Sequence, residues 1–181
     1  MFKMQFRVLQ YKSVDSTNNL AREFAEGGAA EGTIVSADYQ TSGRGRFDRK
    51  WQSPKAAGLL FSVILRPKVK ASEASMLTHL AAKSVAKTLK DVCGLSPALK
   101  KPNDVLVAKK KIAGILTESC GKGRNIDFVI LGIGININTT KAKMLKTATS
   151  ARAETGKRYE RGEVLDSFLT EFESNYEKWA K

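Results

Sequence analysis

The sequence has few cysteines and no long hydrophobic run. Its 181 residues include two cysteines, Cys93 and Cys120, which lack Cys-x-x-Cys spacing. A disulfide framework or a cysteine zinc site is therefore not expected. No apolar segment reaches the length of a membrane span, and the N-terminus lacks the apolar region of a signal peptide. These absences predict a reduced, cytoplasmic protein that does not enter a membrane.

Several common catalytic patterns are also absent. The one histidine, His79, lies in a predicted helix beside Leu80, where a structural role is expected. Ser-His-Asp and Cys-His mechanisms therefore lack a base, and a histidine metal site lacks ligands. There is no G-x-x-x-x-G-K-[ST] loop, and the Gly-x-Gly pairs at 43–45 and 132–134 lack the third glycine of the dinucleotide fingerprint. What remains is catalysis by positioning and electrostatics, with arginine, lysine, carboxylates and Mg²⁺.

Positive charge is abundant, with 31 Lys and Arg against 18 Asp and Glu and a net charge of +13. This excess favours acidic partners or polyanionic substrates, and it leaves a non-catalytic nucleic-acid-binding module open. The basic residues are spread along the chain, and no helix-turn-helix or zinc-finger spacing occurs, so specific DNA binding is not expected. The 42% hydrophobic content, without repeats or linkers, predicts one domain over residues 1–181.

The order of strand and helix patterns predicts an α+β fold with a mixed, largely antiparallel sheet flanked by helices. The predicted strands cover residues 6–11, 32–40, 59–65, 98–100, 105–108, 111–118 and 128–136. A short first helix is expected to end at left-handed glycines, Gly27 and Gly28. A long helix is expected from Ser72 to Gly94, and an amphipathic helix is predicted near the C-terminus over residues 164–179.

A basic loop, defined here as residues 43–51, is the most informative segment. Its sequence is Gly-Arg-Gly-Arg-Phe-Asp-Arg-Lys-Trp. Two glycines allow positive φ and a close approach to a ligand. Consecutive amides and planar guanidinium groups bind phosphate or carboxylate oxygens. Taken alone, the segment could equally be a solvated surface loop.

Three further features suggest a site. Asn103 and Asp104 follow Pro102 and offer the hard oxygens that Mg²⁺ prefers, although an ordinary turn has the same composition. Lys111 begins an apolar strand, where its ammonium can meet an anionic oxygen or extend into solvent. Glycines within the strand at 128–136 suggest close approach of a ligand or another backbone.

Taken together and in this order, the segments at 15–18, 40–51, 102–104, 111–116, 132–136 and 148–150 resemble those of the bacterial biotin protein ligases. The resemblance implies the class II synthetase-like catalytic fold of biotin and lipoate ligases. It also implies that ATP and Mg²⁺ convert biotin to biotinyl-5′-AMP, from which biotin passes to a lysine of a biotin carboxyl carrier protein. A homodimer is compatible with the resemblance. A lipoate ligase or related acyltransferase of the same fold is the alternative.

The resemblance also implies roles for single residues. The implied biotin-binding set is Ser16, Thr17, Asn18, Gln40, Arg44, Gly45, Arg46, Lys111, Gly132 and Gly134. The implied ATP- and phosphate-binding set is Arg44, Arg46, Arg49, Asn103, Lys111 and Asn136. The implied catalytic set is Lys111, Arg46 and Asp104, and the implied metal ligands are Asp104 and Asn136. Trp51, with Arg49, is expected to hold the base of the loop.

The sequence departs from the family pattern at three places. Lys101 stands where the family commonly has a tryptophan before Pro-Asn-Asp, which changes one packing contact. The first strand begins almost at Met1, so an N-terminal helix-turn-helix and a repressor role are not expected. The sequence stops at Lys181, so the C-terminal β-barrel of many family members is not expected either.

Overall fold

The computed structural model describes residues 4–47, 49–122 and 125–180, so Asp48 of the basic loop lies outside the described residues. Its strands are β1 (Arg7–Tyr11), β2 (Thr33–Ala37), β3 (Gly58–Leu65), β4 (Ala98–Lys100), β5 (Asp104–Val107), β6 (Lys110–Cys120) and β7 (Phe128–Asn136). They form one sheet in the order β1-β2-β3-β7-β6-β5-β4. The β1–β2 pair is parallel and the other pairs are antiparallel, which confirms the predicted mixed, largely antiparallel sheet.

The helices are α1 (Thr17–Glu26), α2 (Ser75–Cys93), α3 (Ala151–Thr155) and α4 (Arg161–Trp179), with short 3₁₀ turns at Ala71–Glu73 and Lys141–Lys143. The connection from β1 to β2 runs through α1, as a parallel pair requires. The described residues include no helix long and apolar enough to cross a lipid bilayer.

Neighbouring strand residues point to opposite faces of the sheet. Both faces are apolar, and helices cover each of them. Ile34 and Val63 belong to the larger core cluster, with side chains of α2 and α4. Val35 and Ile64 belong to the smaller cluster, with Ala21 of α1. Strands β3 and β7 pair along eight residues at the centre of the sheet and are buried throughout. The site is therefore built on a rigid centre.

Several local predictions differ from the structure. The second strand ends at Ala37 rather than at residue 40. The long helix begins at Ser75 rather than Ser72, because a 3₁₀ turn occupies residues 71–73. Gly28 has a φ of 87°, whereas Gly27 has a φ of −75° and is not left-handed. The five-residue helix α3 was not predicted; its N-cap is Ser150, whose Oγ accepts from the amide of Ala153 at 2.9 Å.

Candidate functional site

A cavity of about 340 Å³ lies where the start of α1, the basic loop and strands β6 and β7 meet. Almost every residue assigned to the site from the sequence lines it: Ser16, Thr17, Asn18, Gln40, Arg44, Gly45, Arg46, Arg49, Asn103, Asp104, Lys111, Gly132 and Gly134. Asn136 is the exception, because it is absent from the lining. Trp51 and residues 114–116 also line the cavity.

The inner end of the cavity is a network of uncharged polar groups. The amide and the hydroxyl of Thr17 both donate to Gln40 Oε1, at 2.7 and 3.0 Å. Ser62, on β3, lies with its Oγ 2.8 Å from Thr17 Oγ1 and 2.6 Å from Asn18 Oδ1. These side chains hold one another in place, since buried polar groups cost free energy when unpaired. The network fixes the orientation of Gln40 and leaves its Nε2 available as a donor.

The two strand glycines make room for side chains of the protein. A Cβ on Gly132 would lie 2.7 Å from Asn18 Cγ, and a Cβ on Gly134 would lie 2.5 Å from Trp51 Cε2. The sequence suggested a ligand or another backbone in this space. The structure fills it with Asn18 and Trp51, so the glycines act by letting these two side chains pack against β7.

The basic loop is closed by its own backbone. The amide of Trp51 donates to Gly43 O at 2.9 Å, and that of Gly45 donates to Arg49 O at 2.6 Å. Gly43 needs its missing side chain, because a Cβ there would lie 2.5 Å from Trp51 O and 2.9 Å from Gln40 Nε2. Trp51 therefore closes the base of the loop, while its indole Nε1 is buried without a hydrogen-bond partner among the described residues.

Lys111 is held at the cavity by contacts on both sides. Its Nζ lies 2.7 Å from Asp104 Oδ1 and 5.5 Å from the centre of the Trp51 ring. Its backbone is bridged to the segment before α3, because its amide donates to Thr147 O at 3.0 Å and its carbonyl accepts from the amide of Thr149 at 2.9 Å. The Lys111 side chain is about one-third exposed, and ion pairs at partly exposed sites contribute only about 0–1 kcal/mol. An anionic ligand can therefore take the place of Asp104.

Three of the cations that line the cavity differ in their partners. Arg44 is paired with Glu118 at 2.8 Å, and Lys111 with Asp104. Arg46 lies over the exposed ring of Phe47, with its Cζ 4.9 Å from the ring centre, and makes no salt bridge within the described ranges. Arg44 and Lys111 therefore already have an anionic partner in the free protein, and Arg46 has none among the described residues.

Of the two predicted metal ligands, Asp104 lines the cavity and Asn136 does not. Asn136 Nδ2 instead donates to Thr149 O at 3.0 Å, in the segment before α3. Asp104 is the only acidic residue in the described lining of the cavity, and the described residues contain no cluster of three or more His, Cys, Asp or Glu. One carboxylate suits Mg²⁺, which is commonly held by one or two carboxylates together with substrate phosphates.

Sequence reasoning missed two residues of the network. Ser62 lies inside a uniformly apolar strand, and Glu118 lies near the end of β6 with Arg22, Arg44 and Asn18 around its carboxylate. The only sequence signal was a polar residue inside or at the end of a largely apolar run. Their partners are 44 to 100 positions away in the chain, so no local pattern identifies them.

The sequence is similar to known proteins over most of its length. The family described as "Biotin/lipoate A/B protein ligase family" matches residues 11–136. The bifunctional ligase/repressor BirA of Bacillus subtilis is 37% identical over 173 residues, covering 93% of this chain and 53% of that protein. The biotin–[acetyl-CoA-carboxylase] ligase of Mycobacterium tuberculosis is 31% identical over 169 residues, covering 91% and 62%. The chain spans roughly half the length of such curated relatives.

Solved structures give the same result for the fold. The biotin protein ligase from Aquifex aeolicus in complex with biotin and ATP superposes with a TM-score of 0.81 at 35% identity, covering 96% of this chain and 71% of that chain. The biotin protein ligase from Leishmania major in complex with biotinyl-5-AMP gives a TM-score of 0.79 at 25% identity, covering 96% and 76%. The catalytic-domain fold expected from the sequence is therefore confirmed.

Proposed function

The chain belongs to the biotin/lipoate A/B protein ligase family, and from this premise we propose that it is a biotin protein ligase. Residues 1–181 would act as its catalytic domain: the cavity activates biotin with ATP and transfers it to a lysine of a biotin carboxyl carrier domain. One observation carries the proposal. The polar inner end, the basic loop and Lys111 all line one cavity of about 340 Å³, a size in the range of small-ligand sites.

The inner end suits the ureido head of biotin. That group has two N–H donors and one carbonyl acceptor, and Thr17, Ser16 and Gln40 offer hydroxyl and amide partners around it. Gln40 Oε1 already accepts twice from Thr17, so its Nε2 is the amide group left to donate to the ureido oxygen. Leaving these groups unpaired would cost about 1–3 kcal/mol each, which favours a polar head over an apolar one.

The first step needs stabilisation of negative charge. A carboxylate oxygen of biotin attacks the α-phosphorus of ATP, an O–P bond forms, and the bond to pyrophosphate breaks. Lys111 exchanges Asp104 for the biotin carboxylate and orients it, and Arg46 and Arg49 bind phosphate oxygens. Mg²⁺, held by Asp104 together with the phosphates, would supply further neutralisation of their charge.

The second step breaks the mixed anhydride. A carrier lysine amine attacks the biotinyl carbonyl carbon, an amide forms, and AMP leaves with the bonding electron pair. The attacking ammonium must first lose a proton, and Asp104 is the carboxylate at the cavity able to accept it. Lys111 remains beside the phosphate and stabilises the charge of the departing AMP.

The proposal is tested by mixing the protein with biotin, ATP and Mg²⁺ and following pyrophosphate release and the mass of an added carrier domain. Pyrophosphate release that requires biotin, followed by carrier biotinylation, is the expected result. Activity with lipoate in place of biotin would instead identify the lipoate-ligase alternative. No turnover with either acid, together with salt-steep binding to any DNA duplex, would contradict the enzyme proposal and support a nucleic-acid-binding module.

A further inference from the structure

One carboxylate oxygen joins two parts of the site that are far apart in sequence. Glu118 Oε2 accepts from Asn18 Nδ2 at 2.6 Å and from the Arg44 guanidinium at 2.8 Å. The other oxygen, Oε1, lies 3.7 Å from the Arg22 guanidinium. Asn18 belongs to the inner end of the cavity and Arg44 belongs to the basic loop. Glu118 is thus the shared partner of both.

We propose that Glu118 is a positioning residue that couples the inner end of the cavity to the basic loop. The inference rests on the proposed function in one respect, namely that the cavity holds biotin. The orientation of the Asn18 amide and the position of Arg44 then depend on one negative charge. Loss of that charge is expected to weaken ligand binding and to loosen the loop together.

The inner end shows why the charge matters. Asn18 Oδ1 accepts from Ser62 at 2.6 Å, and its Nδ2 donates to Glu118 and, at 3.4 Å, to Leu116 O. These contacts allow only one orientation of the amide. A glutamine at position 118 can accept both contacts through its amide oxygen, but they would lose the strength that the negative charge gives them. Its own N–H groups would replace Oε1 and face the Arg22 guanidinium. Both contacts would therefore be weakened.

The loop shows the same dependence. Its described residues hydrogen-bond mainly to one another through the backbone, as between Gly45 and Arg49. Within the described part of the loop, Arg44 to Glu118 is the one side-chain hydrogen bond to a residue elsewhere in the chain. Glu118 is about one-fifth exposed, so this contact is less screened by solvent than a surface ion pair.

The test compares Glu118→Gln with Glu23→Gln, which removes the same charge from an exposed position on α1. Two properties are measured in each purified protein: the rate of tryptic cleavage within residues 43–51, and the biotin affinity by calorimetry. We expect Glu118→Gln to raise the cleavage rate and to weaken biotin binding about fivefold. We expect Glu23→Gln to change neither. In turnover assays the KM for biotin should rise more than kcat falls.

A double-mutant cycle with Arg44→Ala isolates the coupling. If Glu118 acts through Arg44, loop cleavage should be no faster in the double variant than in Arg44→Ala alone. Additive effects would overturn the proposal, as would equal cleavage rates in Glu118→Gln and Glu23→Gln. The cleavage comparison does not require biotin. A wild-type protein that fails to activate biotin would therefore refute the proposed function while leaving the coupling decided by proteolysis.

Discussion

Replacing Gly132 with alanine is expected to disrupt the inner end of the cavity by displacing Asn18. The added Cβ would lie 2.7 Å from Asn18 Cγ and 2.9 Å from its Nδ2, and closer still to Oδ1. Asn18 must therefore move. Its hydrogen bonds to Ser62 and Glu118, both 2.6 Å, would then be broken or distorted.

The expected cost follows from those contacts. Each hydrogen bond contributes about 0.5–1.5 kcal/mol, and overpacking a rigid core costs about 1–3 kcal/mol. Since β7 is buried on both faces, it cannot relax away from α1. We expect Gly132→Ala to lower the free energy of unfolding by about 2 kcal/mol, measured by urea denaturation. Biotin affinity should fall in the same variant.

Two comparisons make the result specific. Gly162→Ala, in α4, adds a methyl group with no atom within 4 Å and should raise stability by about 0.5 kcal/mol. In an Asn18→Ala background the obstacle is gone, so Gly132→Ala should cost much less than in the wild type. If Gly132→Ala has the same free energy of unfolding as the wild type and binds biotin with unchanged affinity, position 132 does not need glycine to accommodate Asn18.

The remaining predictions concern charge and ionisation. Lys111→Ala should abolish biotin-dependent pyrophosphate release, whereas Lys83→Ala, on the exposed side of α2, should leave it unchanged. Tyr176→Phe should lower the free energy of unfolding by about 1–2 kcal/mol, measured in urea, because the phenol donates to Glu31 Oε1 at 2.6 Å. Burial, with a smaller effect of a nearby acidic side chain, raises the pKa of Cys93 to about 11. An unfolded thiol ionises at pH ~8.5. Between those two values the free energy of unfolding should fall with rising pH more steeply in the wild type than in Cys93→Ala, because only the unfolded thiol loses its proton there. Parallel curves for the two proteins would contradict this.

The fold could be predicted well where local pattern decides the structure. The apolar runs at residues 59–65 and 128–136 predict buried strands, and both are central in the sheet. Helix boundaries were less accurate, because a 3₁₀ turn and an α-helix begin with similar residues. The start of α2 at Ser75 is such a case. Helix α3 is only five residues long, which is too short for a helical period to be visible in the sequence.

The site could be predicted as a set of residues but not as a set of contacts. Ordered motifs identified Asn18, Gln40, Arg44 and Lys111, which all line the cavity. Their connections are long-range, such as the 74 positions between Arg44 and Glu118. Sequence spacing carries no information about which side chains meet across strands and loops. The pairing had to come from the structure.

The two arginines of the loop motif have different contacts in the structure, although the motif makes them look alike. Arg44 and Arg46 each follow a glycine in Gly-Arg-Gly-Arg, and the family resemblance implies that both bind phosphate. Glu118 neutralises Arg44 at 2.8 Å, whereas Arg46 lies over the exposed Phe47 ring. A guanidinium already paired with a carboxylate gains less from a phosphate, because it must give up one anion to bind another. We therefore expect Arg44 chiefly to anchor the loop and Arg46 to contribute more of the charge that binds phosphate.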